Sequence, residues 1–230
     1  MNDQLSSVRV VWPDAYRIIR SIHPPIDLFE DIAEPEDWEA LASVESKTNP
    51  RIWENIGRLD LVPPQRRVSG PGSSYLMAPF VHVSTDRPGR FTDGTYGVYS
   101  VGDSEEVAIR EVAHHHGVAM ANSDEEPGWT SQFRVLINRL DLKLHDARPH
   151  ECLHHPDDYS ASQALGKSLR SGGSNGVVYR SVRYPGGECA AIFWPDLIDI
   201  PVQADHFDFH WSGERVDKVR NCRTNRIFAL

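Results

Sequence analysis

Residues 96–116 read YGVYSVGDSEEVAIREVAHHH, and this stretch decides the fold class. Tyr96-Gly97-Val98-Tyr99 has the composition of a short strand. A helix over about 103–116 follows with almost no connection. Asp103 or Ser104 can cap its first turn, and Glu105 and Glu106 suit the positive end of its dipole. Outward from this unit the elements come in mixed order. Residues 8–20 predict a first strand, 27–56 a helix broken at Asn49-Pro50, and 63–94 Gly- and Pro-rich loops with short strands such as 75–83. Residues 132–144 alternate as a half-buried strand does, and 159–170 predict a helix that stops at Gly172-Gly173. Residues 176–182 and 188–194 form two apolar strands joined by Tyr184-Pro185-Gly186-Gly187, a hairpin signal. Phe207, Phe209 and Trp211 alternate as one further strand. Without regular βαβ alternation, this order predicts an α+β fold in a single domain over 1–230, with a core at about 8–200 and a C-terminal extension at 201–230.

Composition narrows the function. The net charge of −9 argues against broad nucleic-acid binding, which depends on neutralising phosphates, but leaves room for a small basic pocket. No apolar run approaches the roughly 20 residues that span a bilayer. Residues 1–8 lack the pattern of a secretion signal, and three widely spaced cysteines do not suggest a disulfide framework. A cytoplasmic location is expected.

Several polar residues stand where apolar ones would be ordinary. Glu111 has Val107 and Ala108 as its neighbours one turn back, while Glu106 and Arg110 form an i,i+4 pair. Glu111 therefore points where the helix packs, either as a core-edge carboxylate satisfied by a partner or as a group that stabilises positive charge or holds ribose hydroxyls. Arg17 lies in an apolar strand between Tyr16 and Ile18 and must meet a carboxylate, phosphate or carbonyl cluster. Arg90 is presented from a loop after Pro88-Gly89; like Arg17, it reads more often as a structural ion pair than as a ligand clamp. Ser181 and Arg183 share a face near the hairpin turn. The eleven histidines include His114-His115-His116, but ring directions diverge by about 100° per residue on a helix. No HExxH or CxxC spacing accompanies them, so no metal is expected. GxxxxGK(S/T), GxGxxG and GxSxG motifs are absent.

The ordered series of motifs resembles the RES-domain family, named for an Arg, a Glu and a Ser. The series runs through Tyr16-Arg17-Ile18, Leu28-Phe29-Glu30-Asp31-Ile32-Ala33, Thr48-Asn49-Pro50-Arg51 and Met77-Ala78-Pro79-Phe80. It continues with Arg90-Phe91-Thr92-Asp93-Gly94-Thr95-Tyr96-Gly97-Val98-Tyr99, Ala108-Ile109-Arg110-Glu111, the segment 159–166, and Tyr179-Arg180-Ser181-Val182-Arg183-Tyr184-Pro185-Gly186-Gly187-Glu188. The resemblance implies a fold like that of the ADP-ribosyltransferases, with a mixed central sheet and flanking helices. It implies an NAD-degrading toxin that cleaves the nicotinamide–ribose bond, with water or phosphate as acceptor. It also implies a helix-turn-helix antitoxin that blocks the pocket.

NAD is then the substrate, and no cofactor is expected. The family's Arg falls on Arg17, its Glu on Glu111 and its Ser on Ser181, and a second arginine falls on Arg90. Where many relatives place a tyrosine eleven residues before the Glu, this chain has Ser100. Tyr99 replaces that ring if the strand register slips by one, and Tyr96 is the other candidate. We expect Tyr99 in the pocket. Transfer of ADP-ribose to a cellular protein, and an inactive relative that only binds a partner, are the alternative readings. Neither a membrane nor direct nucleic-acid contact is expected, and a homodimer is compatible with the sequence.

Overall fold

The computed structural model describes residues 5–22, 34, 36–48 and 56–230. Eight strands among them form one sheet. They are β1 (Ser7–Arg20), β2 (Tyr99–Gly102), β3 (Thr130–Asp146), β4 (Gly176–Arg180), β5 (Glu188–Ile192), β6 (Val202–Trp211), β7 (Val216–Asn221) and β8 (Ile227–Ala229). The helices α1 (Trp38–Glu45), α2 (Ser73–Val81), α3 (Glu105–Ala121) and α4 (Ser160–Ser171) flank the sheet. The α+β expectation holds.

The strand order is β1-β2-β5-β4-β3-β6-β7-β8, and β1 also pairs with β3 over most of its length. Strands β1, β2, β5, β4 and β3 therefore close into a ring. All pairings are antiparallel except β3 with β4. Closure requires the two long strands to bend, and β1 shifts register between Trp12 and Ala15. The segment expected as an extension supplies β6–β8 to the same sheet, with Phe207, Phe209 and Phe228 buried beneath α3. Helix α3 starts where the sequence places it: the Ser104 hydroxyl accepts from the Val107 N–H at 3.4 Å.

Three departures have physical causes. Residues 73–81 form α2, not a strand: Leu76, Met77, Phe80 and Val81 are buried at helical spacing. Pro79 lies inside this helix, two residues before it ends at Val81. The strand expected at 96–99 begins at Tyr99, because Tyr96 turns inward and donates from its hydroxyl to the Phe91 carbonyl at 2.5 Å. Strand β4 stops at Arg180, not at residue 182, because the Ser181 hydroxyl accepts from the N–H groups of Arg183 (3.2 Å) and Tyr184 (3.0 Å) and turns the chain. Of the helix expected over 27–56, the described part is α1; residues 23–33, 35 and 49–55 lie outside the described residues. Among the described residues no helix is long and apolar enough to cross a membrane.

Helix α2 lies so close to the entry of β2 that a Cβ on Gly97 would sit 2.2 Å from Phe80 Cα and from the Pro79 oxygen. Only glycine fits there. This contact brings α2, the 82–98 loop and the ring of strands around one cleft.

Candidate active site

The cleft has a volume of about 510 Å³. Arg17 enters it from β1, Ser100 from β2, Tyr179 from β4 and Ala191 from β5, while Arg90, Phe91 and Tyr96 come from the loop before β2. Strand pairing brings these distant segments together: Tyr16 lies opposite Gly102, and Ser100 opposite Ala191.

Arg17 donates from Nη1 to the Ser100 carbonyl at 3.1 Å, and its guanidinium lies over the Tyr99 ring, 4.8 Å from the centroid. Burial lowers its pKa from the ordinary value. An arginine stays charged nonetheless. Its Nε is buried without a hydrogen-bond partner among the described residues. A buried donor left unpaired is costly. Arg90 donates from Nη1 to the carbonyls of Leu153 (3.1 Å) and His155 (2.8 Å) and lies over the Tyr159 ring at 4.4 Å.

Glu111 is half-buried on α3 beside the end of β4. Its Oε1 accepts from the Ser181 hydroxyl at 2.6 Å and, more weakly, from the Cys189 thiol at 3.8 Å. Tyr179 lies directly opposite Cys189 in the β4–β5 pairing. Burial and the nearby Glu111 carboxylate push the Tyr179 and Cys189 pKa values well above their usual ranges, so both stay protonated as donors. Tyr179 lines the cleft, whereas Glu111 and Ser181 are not among its lining residues.

Tyr99 is not in the cleft. It is 0 % exposed, its hydroxyl donates to Asn138 Oδ1 at 3.0 Å, and burial raises its pKa to about 12. Ser100 faces the cleft in its place, so the strand has not slipped and the expected exchange does not occur. The aromatic wall is built from Tyr96, Phe91 and Tyr179, the last two with ring centroids 4.9 Å apart. Sequence reasoning missed Tyr179. It stands two residues before Ser181, and extending the strand alternation back by one step places it on the same face. The predicted Glu106–Arg110 pair forms at 3.1 Å. Among the described residues, no group of three or more His, Cys, Asp or Glu could hold a metal ion.

The RES domain family model matches residues 64–212, well over half of the chain. The chain belongs to the RES-domain family. Within that match lie Arg90, Glu111 and Ser181, whereas Arg17 comes from β1, ahead of it. The RES-domain chain is also 27% identical over 203 residues to "Uncharacterized protein y4oC" of Sinorhizobium fredii (strain NBRC 101917 / NGR234), covering 87% of this chain and 84% of that protein. A solved structure described as the M. tuberculosis MbcT-MbcA toxin-antitoxin complex contains a chain similar to this RES-domain protein with a TM-score of 0.44 and 11% identity, over 89% of this chain and 87% of that one.

Proposed function

We propose that this RES-domain protein cleaves the nicotinamide–ribose bond of NAD and acts as the toxin of a toxin–antitoxin pair. The observation that carries the reading is the Glu111 carboxylate, held by Ser181 at 2.6 Å and neighboured by Cys189, whose strand partner Tyr179 lines a cleft with three arginines and three aromatic rings. Arg17 and Arg90, which both line the cleft, would hold the pyrophosphate. Tyr96, Phe91 and Tyr179 offer ring faces for stacking.

Breaking the bond between ribose C1′ and the nicotinamide nitrogen sends the electron pair to that nitrogen. The pyridinium thereby leaves as a neutral molecule, and no acid is needed to expel it. Positive charge develops on the ribose as in glycoside cleavage, and stabilising it is the role proposed for Glu111. Water attacking C1′ forms the new C–O bond and releases a proton; phosphate gives a phosphorylated ADP-ribose. Ser181 orients Glu111 and leaves Oε2 for the substrate.

Incubating the purified protein with NAD, with and without phosphate, and identifying products by mass separates hydrolysis from phosphorolysis. Nicotinamide release that requires added cell lysate, with ADP-ribose recovered on protein, would favour transfer instead. The toxin role rests on family membership and the motif series: expression of the wild-type chain alone should deplete NAD and arrest bacterial growth, and a helix-turn-helix antitoxin should relieve it. Normal growth with constant NAD despite soluble expression would count against that role.

A further inference from the structure

His154 is 8 % exposed and belongs to neither the arginine pair nor the Glu111 group. It lies just after the short turn Glu151–Leu153, and both ring nitrogens are engaged. Nδ1 lies 2.9 Å from the His150 carbonyl, which can only accept, so Nδ1 carries the proton. Nε2 lies 3.1 Å from the backbone N–H of Arg180, which can only donate, so Nε2 is unprotonated. The two backbone partners thus impose one neutral tautomer.

Each connection leads into the site. The carbonyls of Leu153 and His155, on either side of His154, accept from Arg90 Nη1. Arg180 immediately precedes Ser181, whose hydroxyl donates to Glu111. One imidazole therefore ties the loop that holds the cleft arginine to the strand end that holds the carboxylate. We propose that His154 is a positioning residue, whose Nδ1–H tautomer fixes the spacing between Arg90 and the Ser181–Glu111 pair. This rests on the reading of the cleft as an NAD site.

The charges around the ring favour the neutral form. Burial lowers its pKa, as do Arg180 on β4 and Arg90 on the cleft loop, while the His150 carbonyl and Glu151 act the other way. Glu151 is itself held by Arg180 at 2.8 Å.

Two substitutions separate the nitrogens. His154→Gln can place an acceptor at the Nε2 position, whereas His154→Asn keeps a donor near Nδ1 and loses the bond from Arg180. The Asn variant should show a raised KM for NAD and a lowered kcat, each by roughly threefold to tenfold, the scale of one hydrogen bond. The Gln variant should stay within about twofold of wild type. A ¹⁵N ring spectrum of the wild-type protein should show the His154 proton on Nδ1, and exchange of the Arg180 amide should quicken in the Asn variant but not in the Gln variant. Folded Asn and Gln variants with equal kinetics, a proton on Nε2, or equal Arg180 exchange would each overturn the proposal. If the wild type releases no nicotinamide, the NAD reading fails; the ring spectrum and Arg180 exchange need no turnover and still decide whether His154 makes this link.

Discussion

Ser181 and Glu111 meet at 2.6 Å across seventy residues of sequence, hydroxyl to carboxylate, at the junction of β4 and α3. The same hydroxyl oxygen accepts from two backbone N–H groups, which turns the chain sharply after Arg180. One atom thus shapes the turn and orients the carboxylate.

Ser181→Ala removes both functions. Two backbone donors lose their acceptor, at a cost of about 1–3 kcal/mol, and Glu111 loses its strong orienting bond. Denaturant unfolding and nicotinamide release, measured per folded molecule, should both decline, the rate by roughly tenfold. An unchanged rate in the folded variant would reduce Ser181 to a turn residue.

Tyr99 behaves as a core residue in this structure, and its variants should show that. Tyr99→Ala should cost about 3–5 kcal/mol, as large aromatic truncations do. Tyr99→Phe keeps the ring beneath Arg17 and leaves Asn138 Oδ1 without its donor, at about 1 kcal/mol. NAD affinity of the Phe variant should equal that of wild type. Native stability combined with weakened NAD binding would place the hydroxyl in the cleft after all.

His116 supplies a pH dependence with a definite sign. It packs on Phe133 with ring centroids 5.0 Å apart, its Nε2 is buried without a partner among the described residues, and burial lowers its pKa to about 4. The unfolded value is about 6.5, so the unfolded chain binds more protons between these two points. The stability contributed by neutral His116 is complete above about pH 6.5 and is lost as pH falls towards 4. Unfolding midpoints taken from pH 7 to pH 4 should fall less steeply in His116→Leu than in wild type. Parallel slopes would remove His116 as the cause.

Much of this architecture was legible because apolar periodicity reports burial directly. The β1 and β3 strands, α3 with its Ser104 cap, and the β4–β5 hairpin all lie within a few residues of where spacing and turn residues put them. The α2 segment reads as a short strand because it stands within a Gly- and Pro-rich stretch, yet its buried positions fall at helical spacing. The short β7 and β8 strands, flanked by charged residues, carry too few buried positions to show alternation. At the site, residue identity was legible and orientation was not. Arg17 could be expected to meet a carbonyl or an anion, yet nothing local decides whether Tyr99 or Ser100 faces the cleft. That parity is set by pairing with β5, more than ninety residues away.

The most direct test of the active-site assignment is nicotinamide release from NAD by purified wild-type protein and by Glu111→Gln, measured side by side in the presence of a chelator. The Gln side chain keeps the shape and the hydrogen bond from Ser181 but removes the negative charge. Wild type should release nicotinamide without added metal, and the variant should be slower by about 10²-fold or more at a similar KM, the scale of losing one electrostatic stabiliser. Equal rates in the two proteins, or no release by folded wild type even with cell lysate supplying an acceptor, would contradict the role assigned to Glu111.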